Sequence, residues 1–170
     1  MTITLRREQG GDEPAIYSLT KAAFFGLPFS DGKEHELLDR LRNDGDLAHS
    51  LVAMDSDQTI IGHIAFSKVV ISSGPDNGPD NWYGLGPVSV FPPRQHTGIG
   101  AALIQRGLSD LKSMGANGCV LLGNPVYYRR FGFIHDPKLR YPGPPPEYFQ
   151  RIVFHGPSPT GTVTYAPAFG

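Results

Sequence analysis

The stretch that decides the fold occupies residues 88–101 and reads Val88-Ser89-Val90-Phe91-Pro92-Pro93-Arg94-Gln95-His96-Thr97-Gly98-Ile99-Gly100-Ala101. It predicts a strand, a glycine-containing loop and the start of a helix. The first backbone N–H groups of a helix have no partner inside the helix and lie at the positive end of its dipole. Glycine leaves room for a ligand to approach them closely. The stretch is therefore typical of a loop that binds a pyrophosphate.

Two common phosphate-binding loops match this stretch poorly. A P-loop needs Lys and then Ser or Thr after its last glycine, where this chain has Ala101 and Ala102. A dinucleotide-binding loop needs Gly or Ala three positions after its second glycine, and Leu103 stands there. It also needs an acidic ribose ligand further on, at a position that Val120 occupies. Neither class of nucleotide site is favoured by these residues.

The rest of the chain predicts helices and strands on both sides of this loop. The predicted helix from Gly98 to Met114 is the clearest, because its apolar residues recur on one face. Pro87 cannot donate to a ladder, so we expect a bulge in the strand from Trp82 to Phe91. Other strands are predicted over 2–7, 49–54, 59–71, 119–122, 132–135, 152–154 and 162–165, helices after Asp12 and over 33–42, a short turn or helix over 124–130, and a loop over 72–81.

The composition favours a globular cytoplasmic protein of one domain, residues 1–170, with the proline-rich segment 141–170 packed as part of it. Fifteen basic and sixteen acidic residues give a net charge of -1, which disfavours nucleic acid as a partner. One cysteine cannot form an internal disulfide, and the six scattered histidines indicate no metal site. No apolar run approaches the ~20 residues that cross a bilayer, so no membrane partner is expected.

Two motifs carry a resemblance to a known family. Residues 95–100, Gln-His-Thr-Gly-Ile-Gly, resemble the Q/R-x-x-G-x-G/A loop of the GNAT acetyltransferase superfamily. Tyr128, Gly132 and Phe133 resemble its Tyr-x-x-x-Gly-Phe signature. The order of the predicted elements is similar as well, so the resemblance covers essentially the whole chain. Residues 85–90, 127–133 and 164–169 look like an uncharacterised bacterial branch of predicted N-acetyltransferases.

The resemblance implies an α/β fold of GNAT type, with a mixed, mostly antiparallel central sheet flanked by helices and two strands splayed at the cofactor groove. It implies acetyl-CoA as co-substrate, bound through backbone groups of Val88 and Val90 and through the loop. Gln95 would shape that loop, and His96 lies in it, either as a further cofactor-binding residue or facing solvent. The resemblance implies that the pyrophosphate is held by the backbone amides of Thr97, Gly98, Ile99, Gly100 and Ala101.

The implied reaction is direct attack of a primary amine on the thioester. The sequence leaves open whether the protein is a monomer or a homodimer. Tyr128 would be the general acid that protonates the leaving thiolate, because a phenol is protonated at neutral pH. The backbone N–H of Val88 would contact the oxyanion, since a bulge frees a donor. The general base stays open between Glu34, His63 and an ordered water. The acceptor amine is not identified by the sequence.

Structural alternatives accompany these assignments. Tyr127 and Cys119 are expected to pack in the core, and His63 to be a half-buried residue with its hydrogen bonds satisfied. Arg129 and Arg130 would either contact the adenosine phosphates or face solvent. The apolar residues between Phe24 and Phe29 are expected to close the core rather than wall an acceptor pocket. Two alternatives to an enzyme remain, a non-catalytic acyl-CoA-binding or regulatory module and a nucleotide-binding domain of another type.

Overall fold

The computed structural model describes residues 2–74 and 76–170, and for residues 76 and 77 only the backbone. Pro75, inside the predicted loop over 72–81, lies outside the described residues. The strands are β1 (Thr4–Arg7), β2 (Leu47–Met54), β3 (Ile60–Ser73), β4 (Asp76–Asn77), β5 (Trp82–Val90), β6 (Gly118–Leu122), β7 (Leu139–Arg140), β8 (Phe149–Val153) and β9 (Gly161–Tyr165). The helices are α1 (Glu13–Phe24), α2 (Glu34–Asp44), α3 (Ile99–Ser113) and α4 (Pro125–Tyr128).

The strands form a mixed, mostly antiparallel sheet, which confirms the predicted fold class. Its main path runs β1-β2-β3-β5-β6-β8, and β9 pairs with the far end of β3. Along this path β5 and β6 are the parallel pair. Parallel neighbours need a crossover connection rather than a hairpin, and α3 supplies it. The helix that follows the glycine loop is therefore fixed beside the edge where β5 meets β6.

Helices cover both faces of the sheet. On one face Leu103, Ile104 and Leu111 of α3 pack against sheet residues that include Ile64 and Phe66. On the other face α1 and α2 bury Ile16 and Leu38 against Val52 and Ala65. The alternation of side chains along a strand separates these two groups, since successive residues point to opposite faces. No described helix is both long and apolar enough to cross a membrane.

The strands β5 and β6 diverge after three residue pairs. Trp82, Tyr83 and Gly84 pair with residues 118–120, and the pairing stops there. On its other side β5 stays paired with β3 as far as Val90. The register between β3 and β5 shifts by one residue around Gly86 and Pro87, and Gly86 has a φ of 132°. The expected bulge is present, and beyond it the two strands form an open fork.

Two local predictions are wrong. The segment 132–135 forms no strand and makes an isolated bridge between Ile134 and Arg151, because a tight turn ending at Gly132 (φ 100°) leaves it little room. The apolar residues after α1 do not close the core, since Phe25 is 84% exposed and Phe29 81%. Residues of α1 that include Ile16 already fill the side of the helix that faces the sheet. The two phenyl rings therefore lie on the surface of the α1–α2 loop.

Substituting Gly107 of α3 tests how closely this helix packs on the sheet. A Cβ there would overlap the ring of Phe66, which is fully buried and cannot swing away. We expect Gly107→Ala to lower the free energy of unfolding by about 1–3 kcal/mol, although alanine is the better helix former. Urea denaturation measures this change, and the exposed Ser109→Ala on the same helix is the control. A Gly107→Ala protein as stable as the wild type contradicts the close packing.

Candidate active site

The backbone of β5 presents hydrogen-bonding groups to the open fork. Phe91 N donates to Ile61 O across the β3–β5 ladder at 2.8 Å, so this pair is hydrogen-bonded. In an antiparallel ladder such pairs alternate with pairs that are not hydrogen-bonded. The backbone of Ser89 therefore forms hydrogen bonds with the backbone of His63. The backbone N–H and C=O groups of Val88 and Val90 point away from β3. These groups face the side of β5 on which β6 has diverged.

The loop between β5 and α3 is held to the end of β5. The Gln95 side chain donates from Nε2 to the carbonyl oxygen of Val90 at 3.1 Å. Gly98 is the N-cap of α3 with a φ of 91°, a value that glycine adopts without strain. Ala102 N donates to Gly98 O at 3.0 Å, so the amides of residues 99–101 come before the helical ladder begins. The structure thus brings the predicted loop and the predicted strand to one edge of the sheet.

His96 adopts a backbone conformation that is unusual for its residue type. Its φ is 64°, in the left-handed region that favours glycine. The side chain is exposed beside the start of α3. The Thr97 hydroxyl donates to the carbonyl oxygen of Arg94 at 2.5 Å and closes the turn behind it. The loop is therefore fixed by two side-chain bonds to the backbone, those of Gln95 and Thr97.

Tyr128 lies at the end of α4, which follows directly on β6. Asn124 caps this short helix by accepting a bond from Val126 N at 2.9 Å. The Tyr128 ring lies against Gly123. A Cβ atom added at Gly123 would lie only 2.8 Å from Cδ2 of that ring. Burial, and to a lesser extent Tyr127, raises the pKa of Tyr128 to about 12. The phenol is therefore protonated at neutral pH and able to donate a proton.

A groove of about 540 Å³ lies between α3 and the end of β8. Lys112 and Arg130 contribute positive charge to its lining. The Arg130 guanidinium lies over the Tyr127 ring, 4.4 Å from its centroid, and its Nε donates to the Tyr127 carbonyl oxygen at 2.9 Å. Tyr127 packs as expected, in edge contact with the Tyr128 ring. Both arginines of this motif are exposed, and Arg130 is the one that lines this groove.

A family model described as "Acetyltransferase (GNAT) family" matches residues 14–133, which include the fork, the loop and Tyr128. The chain belongs to the GNAT acetyltransferase family. A GNAT acetyltransferase from Brucella melitensis, solved with acetyl-CoA, is 44% identical, with a TM-score of 0.85 over 99% of both chains. The E. coli protein YhbS, solved with CoA, is 31% identical, with a TM-score of 0.87 over 98% of this chain and 91% of YhbS.

A search of curated proteins gives the same family. The "Uncharacterized N-acetyltransferase YhbS" of E. coli K12 is 35% identical over 137 residues, which cover 78% of this chain and 76% of YhbS. The "Uncharacterized N-acetyltransferase YjhQ" of the same strain is 33% identical over 107 residues, 62% of this chain and 58% of YjhQ. Both names assign an acetyltransferase, and neither names an acceptor.

The two candidate bases of this GNAT domain have different surroundings. Glu34 lies half-buried at the start of α2, and the Ser30 hydroxyl lies 2.7 and 2.8 Å from its two carboxylate oxygens. His63 lies on β3 with no exposed surface. Burial, followed by the nearby charge of Arg42, lowers the pKa of His63 to about 3, so the imidazole is neutral.

The expectation of a half-buried His63 with satisfied hydrogen bonds is wrong. Its Nε2 lies 2.8 Å from Ser50 Oγ, while Nδ1 is buried without a hydrogen-bond partner in the described part of the chain. Ser50 also donates to Glu8 at 2.9 Å, and Glu8 accepts from Arg42 at 2.8 Å. Sequence reasoning missed this set of residues, because Glu8, Ser50 and Arg42 lie far apart in the chain.

Ser89 was missed as well, although the sequence carried a signal. It is a polar residue between Val88 and Val90 in a strand that is otherwise apolar, and it is only 1% exposed. Cys119, on β6, is fully buried, and burial raises the pKa of its thiol. A thiol of that kind is not a nucleophile at neutral pH, so the expected core position of Cys119 is confirmed.

Gln95→Glu tests whether the bond to Val90 holds the loop. The substitution keeps the side-chain length but replaces the donor with oxygens that the Val90 carbonyl repels. We expect the dissociation constant for acetyl-CoA to rise about tenfold, with little change in thermal stability, because a tenfold change corresponds to about 1.4 kcal/mol, near the upper end of the range for a neutral hydrogen bond. Isothermal titration calorimetry measures the binding. Gln9→Glu, an equal charge change on an exposed residue near α1, is the control and should bind acetyl-CoA as the wild type does.

Proposed function

We propose that this chain is an N-acetyltransferase that transfers the acetyl group of acetyl-CoA to a primary amine by direct attack. The observation that carries the proposal is the fork between β5 and β6, which leaves the backbone groups of Val88 and Val90 directed at an open edge beside the phosphate loop. The acetyl-CoA complex of the 44% identical relative supports the choice of co-substrate.

Binding of acetyl-CoA would use the loop and the edge of β5. The amides of Thr97, Gly98, Ile99, Gly100 and Ala101 would hold the pyrophosphate at the positive end of the α3 dipole, with His96 alongside. The pantetheine arm would add to β5 as an extra strand, with its amides bonded to Val88 and Val90. The carbonyl oxygen of Val90 already accepts a hydrogen bond from Gln95, so the backbone N–H is the main group that Val90 offers to the pantetheine arm.

The fork would also place the reacting carbonyl. The N–H of Val88 faces the gap, and a donor in that position stabilises the oxyanion that forms as the amine attacks. The bulge at Gly86 and Pro87 makes this possible because it releases the strand from the regular ladder just before Val88. Cys119 is buried behind the fork and unsuited to a covalent intermediate, which agrees with transfer in one step from thioester to amine.

Tyr128 would protonate the thiolate of coenzyme A as it leaves. Its ring is fixed by Gly123 on one side and by Tyr127 and Phe133 on others. A phenol with a raised pKa keeps its proton until the developing thiolate takes it. The remaining proton, on the attacking amine, needs a separate acceptor.

A panel of primary amines tests the proposal directly. Each amine is incubated with the protein and acetyl-CoA, and release of the coenzyme A thiol is followed with a thiol reagent, with mass spectrometry of the acetylated product. We expect release above the protein-free rate with at least one amine. Acetyl-CoA that raises the melting temperature while no amine is acetylated would instead support the non-catalytic binding module.

Tyr128→Phe tests the general acid. Removing one hydroxyl that donates in the transition state should lower kcat by about 100-fold, within the usual range for a general acid, and leave the dissociation constant for acetyl-CoA within twofold. Tyr127→Phe removes a hydroxyl from the neighbouring ring and is the matched control, expected to keep wild-type kcat. If both variants turn over at the wild-type rate, Tyr128 is not the acid.

The pH dependence of kcat tests the same residue in the wild type. Because burial raises the pKa of Tyr128 to about 12, the phenol should stay protonated where an ordinary tyrosine, with a pKa of about 10, is half ionised. With an amine acceptor that is neutral above pH 8, we expect kcat to be level between pH 8 and 10.5. A fall in kcat with a midpoint near pH 10, at retained thermal stability, would contradict the proton-donor role.

A further inference from the structure

A chain of polar side chains crosses four strands on the face of the sheet opposite α3. Glu8 follows β1, Ser50 lies on β2, His63 on β3 and Ser89 on β5. Ser50 Oγ lies 2.9 Å from a Glu8 carboxylate oxygen and 2.8 Å from His63 Nε2. Arg42 of α2 anchors the far end through two bonds to Glu8, of 2.8 and 3.1 Å. The chain runs from the surface towards the strand that carries Val88.

Hydrogen-bond chemistry fixes the tautomer of His63. Ser50 has one proton to donate, and it donates this proton to the Glu8 carboxylate that also accepts from Arg42. The contact between Ser50 and His63 then requires that Nε2 carries the hydrogen and donates to Ser50. Nδ1 is left with its lone pair as a hydrogen-bond acceptor. The charged groups around this imidazole are Glu8, Asp12 and Arg42, and burial keeps the ring neutral.

Two buried polar atoms at the end of this chain lack partners. His63 Nδ1 and Ser89 Oγ make no hydrogen bond within the described residues. His63 and Ser89 face each other across the β3–β5 ladder, so their side chains project from the same face of the sheet. Buried polar atoms are almost always bonded to protein or to ordered water. A water molecule is the ligand that can accept from the serine hydroxyl and donate to Nδ1.

We propose that one ordered water binds between His63 Nδ1 and Ser89 Oγ, and that the completed chain carries the proton of the attacking amine to Glu8. The role of this chain in catalysis rests on the proposed acetyltransferase function. The water site itself rests only on the two unpartnered atoms and their juxtaposition.

The open face of the fork supports this direction of proton transfer. On β6, Leu121 points into the α3 face and is 1% exposed, whereas Leu122 points to the opposite face and is 41% exposed. An amine can therefore approach the thioester from the face opposite α3. Ser89 directs its side chain to that same face, one residue beyond the N–H of Val88. Ser89 is thus a buried polar residue of β5 next to Val88, whose N–H would contact the reacting carbonyl.

The proton balance of the step is complete. The amine nitrogen forms a bond to the acyl carbon as the bond from carbon to sulfur breaks, and Tyr128 gives its proton to the thiolate. The amine proton passes to Ser89 as the hydroxyl proton of Ser89 passes through the water to His63 Nδ1. The Nε2 proton of His63 moves to Ser50, whose own proton moves to Glu8. One proton is thereby transferred from the amine to Glu8 and then to solvent, while Tyr128 regains its proton from solvent. Proton exchange with solvent restores the Nε2-protonated imidazole before the next turnover.

High-resolution crystallography tests the water site without reference to activity. We expect a water within about 3.2 Å of both His63 Nδ1 and Ser89 Oγ in the wild type, and its loss in Ser89→Ala. The melting-temperature shifts of Ser89→Ala and His63→Gln should also fail to add in the double variant, because both remove a partner of one water. A direct bond between Ser89 and His63, or no water at this position, overturns the proposal.

Kinetics of matched variants test the proton path. Ser89→Ala and His63→Gln should each lower kcat at pH 7 at least tenfold, with the dissociation constant for acetyl-CoA within twofold. His63→Gln can still donate to Ser50 but lacks an acceptor at Nδ1, whereas His63→Asn offers an amide oxygen that can hold the water near Nδ1 but cannot pass a proton to Ser50. Both variants should therefore lose activity, and His63→Asn should keep the water. The difference in kcat between these variants and the wild type should become smaller as pH rises, because hydroxide then takes the amine proton directly.

Ser67→Ala is the structural control for these variants. Ser67 lies on the same face of β3, is fully buried and has an unpartnered Oγ, but it stands outside the chain. It should keep wild-type kcat and pH profile. Equal kcat and equal pH profiles for Ser67→Ala, Ser89→Ala and wild type overturn the proton path. If the wild type acetylates no amine, the proposed function fails, while the water density and the non-additive melting temperatures still decide the site.

Discussion

The divergence of β5 from β6 is the constraint on which the rest of the structure depends. A strand inside a sheet normally has both edges paired, and unpaired N–H and C=O groups invite another strand. Here β5 keeps one neighbour, β3, as far as Val90, while its pairing with β6 ends at Gly84. The bulge at Gly86 and Pro87 allows β5 to stay paired with β3 while it separates from β6. An extended amide-containing ligand can take the place that β6 has left.

The groups around the fork are fixed by short local bonds rather than by a deep cavity. Gln95 joins the loop to the last residue of β5, and Asn124 caps the helix that follows β6. Gly123 lets the ring of Tyr128 lie directly against the backbone. Each of these residues lies within five positions of the group that it holds. The acetyltransferase geometry is thus assembled at the ends of two strands, where a shift of either strand would move the loop and Tyr128 apart.

The two faces of the sheet differ in chemistry. The face towards α3 is an apolar core that includes Phe66, whereas the opposite face buries His63 and Ser89 beneath α1 and α2. Buried polar groups cost stability unless they are bonded, so a fold retains them at a structural cost. In the proton path that we propose, their position beside β5, continuous with Glu8, gives that cost a function. The same arrangement explains why His63 is neutral.

The resemblance of two motifs indicated the GNAT family. The sequence by itself determined the features that are local in the chain: the glycine loop before α3, the bulge at Pro87 and most of the element order. These depend on backbone restrictions and periodicity, which act over a few residues. Only the tertiary structure decided that 132–135 is not a strand, that Phe25 faces solvent, and that Glu8, Ser50, His63 and Ser89 form one line. The physical reason is that exposure and hydrogen-bond partners depend on which distant strands become neighbours, and no local pattern specifies that register.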